Sequence, residues 1–104
     1  MEKDGMAQVS GQVLLTHAVG LHARPSVKLT KLAKTFGASI RLGLGPDGPW
    51  IDAKSIVKVM AAKVPQGSHL HFQAEGHDAG DAVAALIGLV ERDFDETRAD
   101  AANG

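Results

Sequence analysis

The spacing of apolar residues changes several times along this chain, and that change constrains the fold more than any other feature. Apolar and polar residues alternate in some segments, as in half-buried strands, and recur at helical spacing in others. Turn-forming residues separate the segments, most clearly the sequence GPDGP over 45–49. The predicted order is β-α-β-β-α-β-α, with strands over 8–16, 38–45, 50–53 and 69–74 and helices over 22–36, 52–64 and 78–94.

That order predicts an α+β fold, a two-layer sandwich with four strands in one sheet and three helices covering one face. Three polar residues of the last strand, His69, His71 and Gln73, are expected on the open face, as surface residues rather than a metal pair. Gly37 is expected to cap the end of the first helix, and Asp78 the start of the last. The core stripe of the last helix is predicted to be Val83, Leu86, Ile87, Val90 and Phe94.

Length and composition favour one globular domain. The chain has 104 residues, of which 44% are hydrophobic and 22% charged, close to the average for folded domains. We expect the domain to cover 8–94, with 1–7 and 95–104 as flexible ends or linkers. The absence of cysteine excludes disulfides, thiolate zinc sites and cysteine nucleophiles.

Charge and hydropathy exclude further classes. Eleven basic and 12 acidic side chains give a formal charge of −1, and aromatic residues make up only 4%, which argues against nucleic-acid binding. No segment approaches the ~20 apolar residues that span a bilayer, and the first residues lack the apolar run of a signal peptide. We therefore expect a cytoplasmic protein without membrane insertion.

Residues 20–26, with the sequence GLHARPS, carry the clearest chemistry. Pro25 lacks an N–H group and fixes φ, so it is tolerated only in the first turn of a helix. A helix that starts here presents unpaired N–H groups and partial positive charge to an anion. His22 offers a neutral nucleophile near pH 7, and Arg24 a planar set of donors that suits phosphate. From spacing alone, His22 as a mere helix cap stays an alternative.

The donors of this predicted phosphate site are limited by Pro25. The N–H groups must come from Ala23, Arg24 and Ser26, because proline has none. Gly20 is expected to let the preceding loop fold back closely. The pattern predicts a nucleophile, an anion-binding turn and a guanidinium within about one helical turn.

Three motifs resemble the histidine phosphocarrier (HPr) family of the phosphoenolpyruvate-dependent phosphotransferase system. They are GLHARPS over 20–26, DAKSIVKVM over 52–60 and AEGHD over 74–78. The resemblance runs from about residue 8 to residue 94. It implies an open-faced β-sandwich with a four-stranded antiparallel sheet, in agreement with the order of elements above.

The resemblance also implies site residues. His22 matches the histidine that is phosphorylated on Nδ1, and Arg24 the arginine that stabilises the phosphohistidine. Ser55 matches a serine that a dedicated kinase modifies in some bacteria, although its position also predicts a helix cap. The implied partner-docking surface consists of Val27, Lys31, Lys34, Ile56, Val57 and Met60.

The implied activity is that of a phosphoryl carrier, not of an enzyme in the strict sense. Enzyme I would donate phosphate to His22, and an A-type acceptor domain would receive it for sugar or dihydroxyacetone phosphorylation. The resemblance implies a monomer without cofactor or metal, and HPr kinase/phosphorylase as a further partner through Ser55. Two alternatives stay open: a domain of a multiphosphoryl or dihydroxyacetone kinase phosphotransfer protein, and a regulatory relative acting through Ser55 or phosphorylation-dependent docking.

Two features depart from the family pattern. Val19 stands where many members have Asn or Ser, so no side-chain bond to the phosphate is expected from that position. The hairpin loop over 45–50 is longer than usual and is expected to lie far from His22.

Overall fold

The computed structural model describes residues 8–16, 20, 21 and 23–95, and within them it confirms the predicted order of elements. Four strands and three α-helices follow one another along these residues, and a single 3₁₀ turn closes the last helix. Their bounds are β1 Gln8–Leu14, α1 Ala23–Lys34, β2 Ser39–Gly43, β3 Trp50–Asp52, α2 Ile56–Ala62, β4 His69–Glu75, α3 Ala79–Glu91 and η1 Asp93–Asp95.

The four strands form one antiparallel sheet in the order β1-β4-β2-β3. Helix α3 packs on β1 and β4, while α1 packs between α2 and α3. The register places Gln12, His71 and Gly43 side by side across three strands. The predicted α+β sandwich is confirmed, with the helices on one face of the sheet.

The core lies between the sheet and the helices. Alternate residues of β4 enter it: Leu70 and Phe72 are fully buried, whereas on the other face His69 is exposed and His71 half-buried. Each large apolar side chain buried in this way contributes about 1.5–3 kcal/mol. The predicted stripe of α3 is confirmed, since its members are either buried or packed against the core: Val83, Leu86, Ile87, Val90 and Phe94.

One predicted helix cap is wrong, and a second holds by position only. Helix α1 ends at Lys34, so Gly37 does not cap it. Asp78 is the N-cap residue of α3, as predicted, but its carboxylate makes no bond to that helix. Its two oxygens instead accept the N–H groups of Gly37 at 2.9 Å and Ala38 at 2.8 Å. The turn into β2 exposes two N–H donors that face the same carboxylate, and this pair of bonds replaces the local cap.

Helix α2 is shorter than the predicted helix over 52–64. Asp52 still belongs to β3, and its carboxylate accepts the N–H group of Lys54 in the turn that follows. The helix therefore begins only at Ile56, after Ser55. It ends at Ala62, where Lys63 takes the left-handed conformation with φ 50°.

The long hairpin lies at the end of the sheet where β4 begins, because Gly43 pairs with both Trp50 and His71. A Cβ atom on Gly43 would meet the Trp50 ring at 2.6 Å, so the ring lies on the open face directly over this glycine. The hairpin side chain is thus on the face opposite the helices. Among the described residues, no helix is long and apolar enough to cross a bilayer.

Candidate functional site

The first turn of α1 is the candidate site. The helix begins at Ala23 and has Pro25 as its third residue, as the sequence predicts. Ala23 is half-buried and Arg24 exposed, while Pro25 and Ser26 are buried. Histidine 22 and Val19 lie outside the described residues, so the role of His22 stays a prediction that its neighbours must support.

The charge distribution of α1 favours an anion at this end. The first turn contains no acidic residue, and the last turn carries Lys31 and Lys34. The macrodipole places partial positive charge at the N-terminus of a helix and is complemented by cations at the C-terminus. The first N–H groups of an α-helix have no acceptor within the helix itself, which is why helix N-termini bind anions. The predicted phosphate donors Ala23, Arg24 and Ser26 lie in the first turn of α1.

Ser26 faces inward. Its side chain is fully buried, and its Oγ donates a hydrogen bond to the carbonyl oxygen of Leu21 at 3.4 Å. Its own carbonyl oxygen accepts the hydroxyl of Thr30 at 3.0 Å. Any contact of Ser26 with a phosphate would therefore use its backbone N–H group, and its hydroxyl instead anchors the turn that precedes the helix.

The turn before α1 is packed against the loop after α2. Gly20 has φ 73°, a conformation that favours glycine. A Cβ atom there would lie 2.6 Å from the carbonyl oxygen of Val64 and 2.9 Å from the N atom of Gln66. The N–H group of Leu21 donates to the same Val64 oxygen at 2.8 Å. The close approach expected of Gly20 is confirmed.

The loop over 65–67 makes further contacts that the sequence does not indicate. In the structure Gln66 extends its side-chain amide to the carbonyl oxygen of Thr16 at 3.2 Å. The N–H group of Gly67 donates to the carbonyl oxygen of Leu15 at 2.8 Å. A Pro-Gln-Gly sequence signals a turn, but nothing in it indicates which loop the turn will contact.

Ser55 is the N-cap of α2. Its Oγ accepts the N–H group of Lys58 at 3.3 Å, and its backbone is extended, with φ −101° and ψ 108°. The structural role predicted for Ser55 is confirmed. Its modification by a kinase stays a prediction.

The predicted docking residues lie on two helices that pack together, α1 and α2. Val57 is 74% exposed, and Val27 and Met60 are each 42% exposed. Ile56 is half-buried, and Val59 on the same helix is fully buried. Lys31 and Lys34 are exposed on α1. The helix pair thus carries both exposed apolar side chains and exposed basic groups.

The described residues contain no cluster of three or more His, Asp or Glu side chains that could hold a metal ion. His69 and His71 lie on the open face, on the opposite side of the sheet from α1.

Known proteins are similar to this chain in both sequence and fold. Residues 9–92 match the family described as the PTS HPr component phosphorylation site. The chain is 33% identical to the phosphocarrier protein HPr of Pseudomonas aeruginosa over 85 residues, which are 82% of this chain and 93% of that protein. It is 40% identical to a multiphosphoryl transfer protein of Vibrio cholerae over 86 residues, 82% of this chain but 22% of that longer protein.

Solved structures give the same result. The crystal structure of HPr from Thermoanaerobacter tengcongensis matches with a TM-score of 0.78 and 32% identity, covering 86% of this chain and 98% of that one. HPr from Bacillus anthracis matches with a TM-score of 0.72 and 34% identity, covering 79% and 95%. Sequence, order of elements and fold agree, and this chain belongs to the HPr phosphocarrier family of the phosphotransferase system.

Proposed function

We propose that this chain accepts a phosphoryl group from the phosphohistidine of Enzyme I on Nδ1 of His22. It then passes the group to an A-type acceptor domain, which serves phosphorylation of a sugar or of dihydroxyacetone. The observation that carries the proposal is the start of α1 directly after His22, with Arg24 in its first turn and no acidic residue there. The same role fits a free carrier protein and a carrier domain within a larger transfer protein.

The step needs positioning and charge stabilisation rather than a substrate pocket. The Nδ1 lone pair of neutral His22 attacks phosphorus while the bond from phosphorus to the donor nitrogen breaks, and the donor nitrogen recovers its lone pair. The N–H groups of the first turn and the Arg24 guanidinium face the charge that develops on the phosphoryl oxygens. The reverse order of bond changes delivers the group to the acceptor.

The experiment is phosphorylation of the full chain by Enzyme I, phosphoenolpyruvate and Mg²⁺, followed by mass spectrometry at neutral pH. We expect one acid-labile adduct, lost in His22→Ala and retained in the matched control His71→Ala, whose histidine lies on the open face. An adduct of unchanged yield in His22→Ala would overturn the carrier proposal.

Docking is proposed to use the exposed apolar groups of α1 and α2. Val57 is the most exposed of them, at 74%, so it can contact a partner while the core stays unchanged. Apolar contact excludes water from the transfer, and Lys31 and Lys34 attract acidic partners. The regulatory alternative acts at the same surface, because Ser55 immediately precedes this helix and a phosphate there would add about −2 charge beside it.

Val57→Glu tests the docking surface. We expect slower transfer from Enzyme I and to the acceptor with a melting temperature within about 4 °C of the wild type, because exposed substitutions change stability little. Val57→Gln separates loss of apolar contact from added charge. Leu14→Glu is the matched control, since Leu14 is 44% exposed on the far face of the sheet. Wild-type rates in Val57→Glu would remove α2 from the docking surface.

A further inference from the structure

We propose that Gln66 is a positioning residue for phosphoryl transfer, acting through the loop that carries His22. The inference rests on the proposed function and adds to it a residue outside both the phosphate site and the docking surface. The side-chain amide of Gln66 bonds to Thr16, which lies between β1 and α1 and belongs to neither helix of the docking surface.

The loop after α2 holds the chain on both sides of residues 17–19. On the entering side, the carbonyl oxygen of Thr16 accepts from Nε2 of Gln66 at 3.2 Å, and the carbonyl oxygen of Leu15 accepts from the Gly67 N–H group at 2.8 Å. On the leaving side, the Leu21 N–H group donates to the carbonyl oxygen of Val64 at 2.8 Å. One short loop, residues 64–67, therefore fixes the two ends of the segment that leads into His22.

The end of α2 orients this loop. Lys63 caps the helix in the left-handed conformation, with φ 50°, and its N–H group bonds to the carbonyl oxygen of Met60. The chain turns sharply there, and the Val64 oxygen is directed at Leu21. Gly67 has φ 92° and completes the turn back towards β4. Gln66 lies between these two turns, where its side chain crosses to Thr16.

Gln66 differs from the backbone contacts in what it can contribute. The backbone bonds of Leu15 and Gly67 continue the pairing of β1 with β4 and belong to the fold. Gln66 is exposed, as is Thr16, and a bond between exposed groups adds little to global stability. It limits how far the chain can move at Thr16, where the segment that leads into His22 begins. A transfer step is sensitive to misplacement of about 1 Å, so the restraint favours the rate of transfer.

Gln66→Met tests this role, because methionine keeps the length and removes the donor without adding charge. We expect the rate of phosphoryl transfer at saturating Enzyme I to fall about 2- to 10-fold, the range that one hydrogen bond of ordinary net strength produces. The KM for Enzyme I and the melting temperature should stay unchanged. Gln12→Met is the matched control, since Gln12 is an exposed glutamine on the open face. Gln66→Lys retains a donor on a side chain of similar reach and should restore most of the rate.

Three outcomes distinguish failure of the positioning role of Gln66 from failure of the proposed function. A wild-type chain that forms no acid-labile adduct refutes the carrier proposal itself. A wild-type chain that transfers normally, with Gln66→Met at the same rate, refutes the positioning role alone. A Gln66→Met variant whose KM rises while its saturated rate is unchanged would assign Gln66 to partner binding and overturn the inference.

Discussion

The two ends of helix α1 are held by different chemistry. Before the helix, two contacts that hold the turn join neutral groups: the Leu21 N–H group with the Val64 oxygen, and the Ser26 hydroxyl with the Leu21 oxygen. After the helix, charged side chains do the same work. Lys54 Nζ donates to the carbonyl oxygen of Phe36 at 2.8 Å, and the carboxylate of Asp78 accepts two N–H groups of the turn into β2.

The difference has a physical reason in the proposed function. A phosphoryl group brings negative charge to the first turn of α1, and a carboxylate in that turn would repel it and compete for the same N–H groups. Neutral backbone contacts restrain the turn without that cost. No phosphoryl group approaches the far end in this proposal, so a carboxylate can accept the N–H groups of the turn into β2 there. The comparison implies that the contacts before the helix depend on close packing of the backbone. The contacts after the helix depend on the ionisation of the Asp78 carboxyl group.

Gly20→Ala gives the largest expected effect and tests the dependence on shape. The left-handed conformation costs a non-glycine residue about 1–3 kcal/mol, and the new Cβ atom would lie 2.6 Å from a backbone oxygen. We expect the melting temperature to fall by roughly 5–10 °C or more and transfer to weaken as the Leu21–Val64 bond is displaced. Thermal melts and the Enzyme I assay measure both.

Gly80→Ala is the matched control for that substitution. Gly80 lies in α3, and nothing stands within 4 Å of the position of its Cβ atom. The same chemical change should there raise stability by up to about 1 kcal/mol, because glycine is a poor helix residue. Equal melting temperatures for Gly20→Ala and Gly80→Ala would show that the turn before α1 is not restricted in shape, and the comparison would fail.

Much of the fold could be predicted because its signals are local. The alternation in β4 and the helical stripe of α3 each indicate an element and its buried face without reference to the rest of the chain. Pro25 predicts the start of α1 in the same way, and the helix does begin at Ala23. The position of the candidate site follows from the same signal, because it lies in the first turn of that helix.

The contacts between loops could not be predicted, because their signals are not local. Asp78 has the type and position of a helix cap, yet its carboxylate accepts N–H groups from residues about 40 positions earlier in the chain. Gln66 looks like an ordinary turn residue, and only the folded chain places Thr16 within its reach. In both cases a polar side chain bonds to a group that is distant in sequence and that only the tertiary structure brings within reach.

Asp78→Asn gives a smaller effect and tests the dependence on protonation at the far end. The N–H groups of Gly37 and then Ala38 hold the pKa of Asp78 below its usual range. A carboxylate whose pKa is lower in the folded state stabilises the fold above its unfolded pKa, about 3.9, and loses that contribution as pH falls through the folded value. Melts of wild type and Asp78→Asn should therefore differ most near pH 7 and converge below about pH 4, with phosphoryl transfer at pH 7 unchanged. Asp47→Asn, at an exposed aspartate of the hairpin, is the matched control. A melting difference for Asp78→Asn that is constant from pH 3 to pH 7 would mean that shape, not charge, holds this end as well.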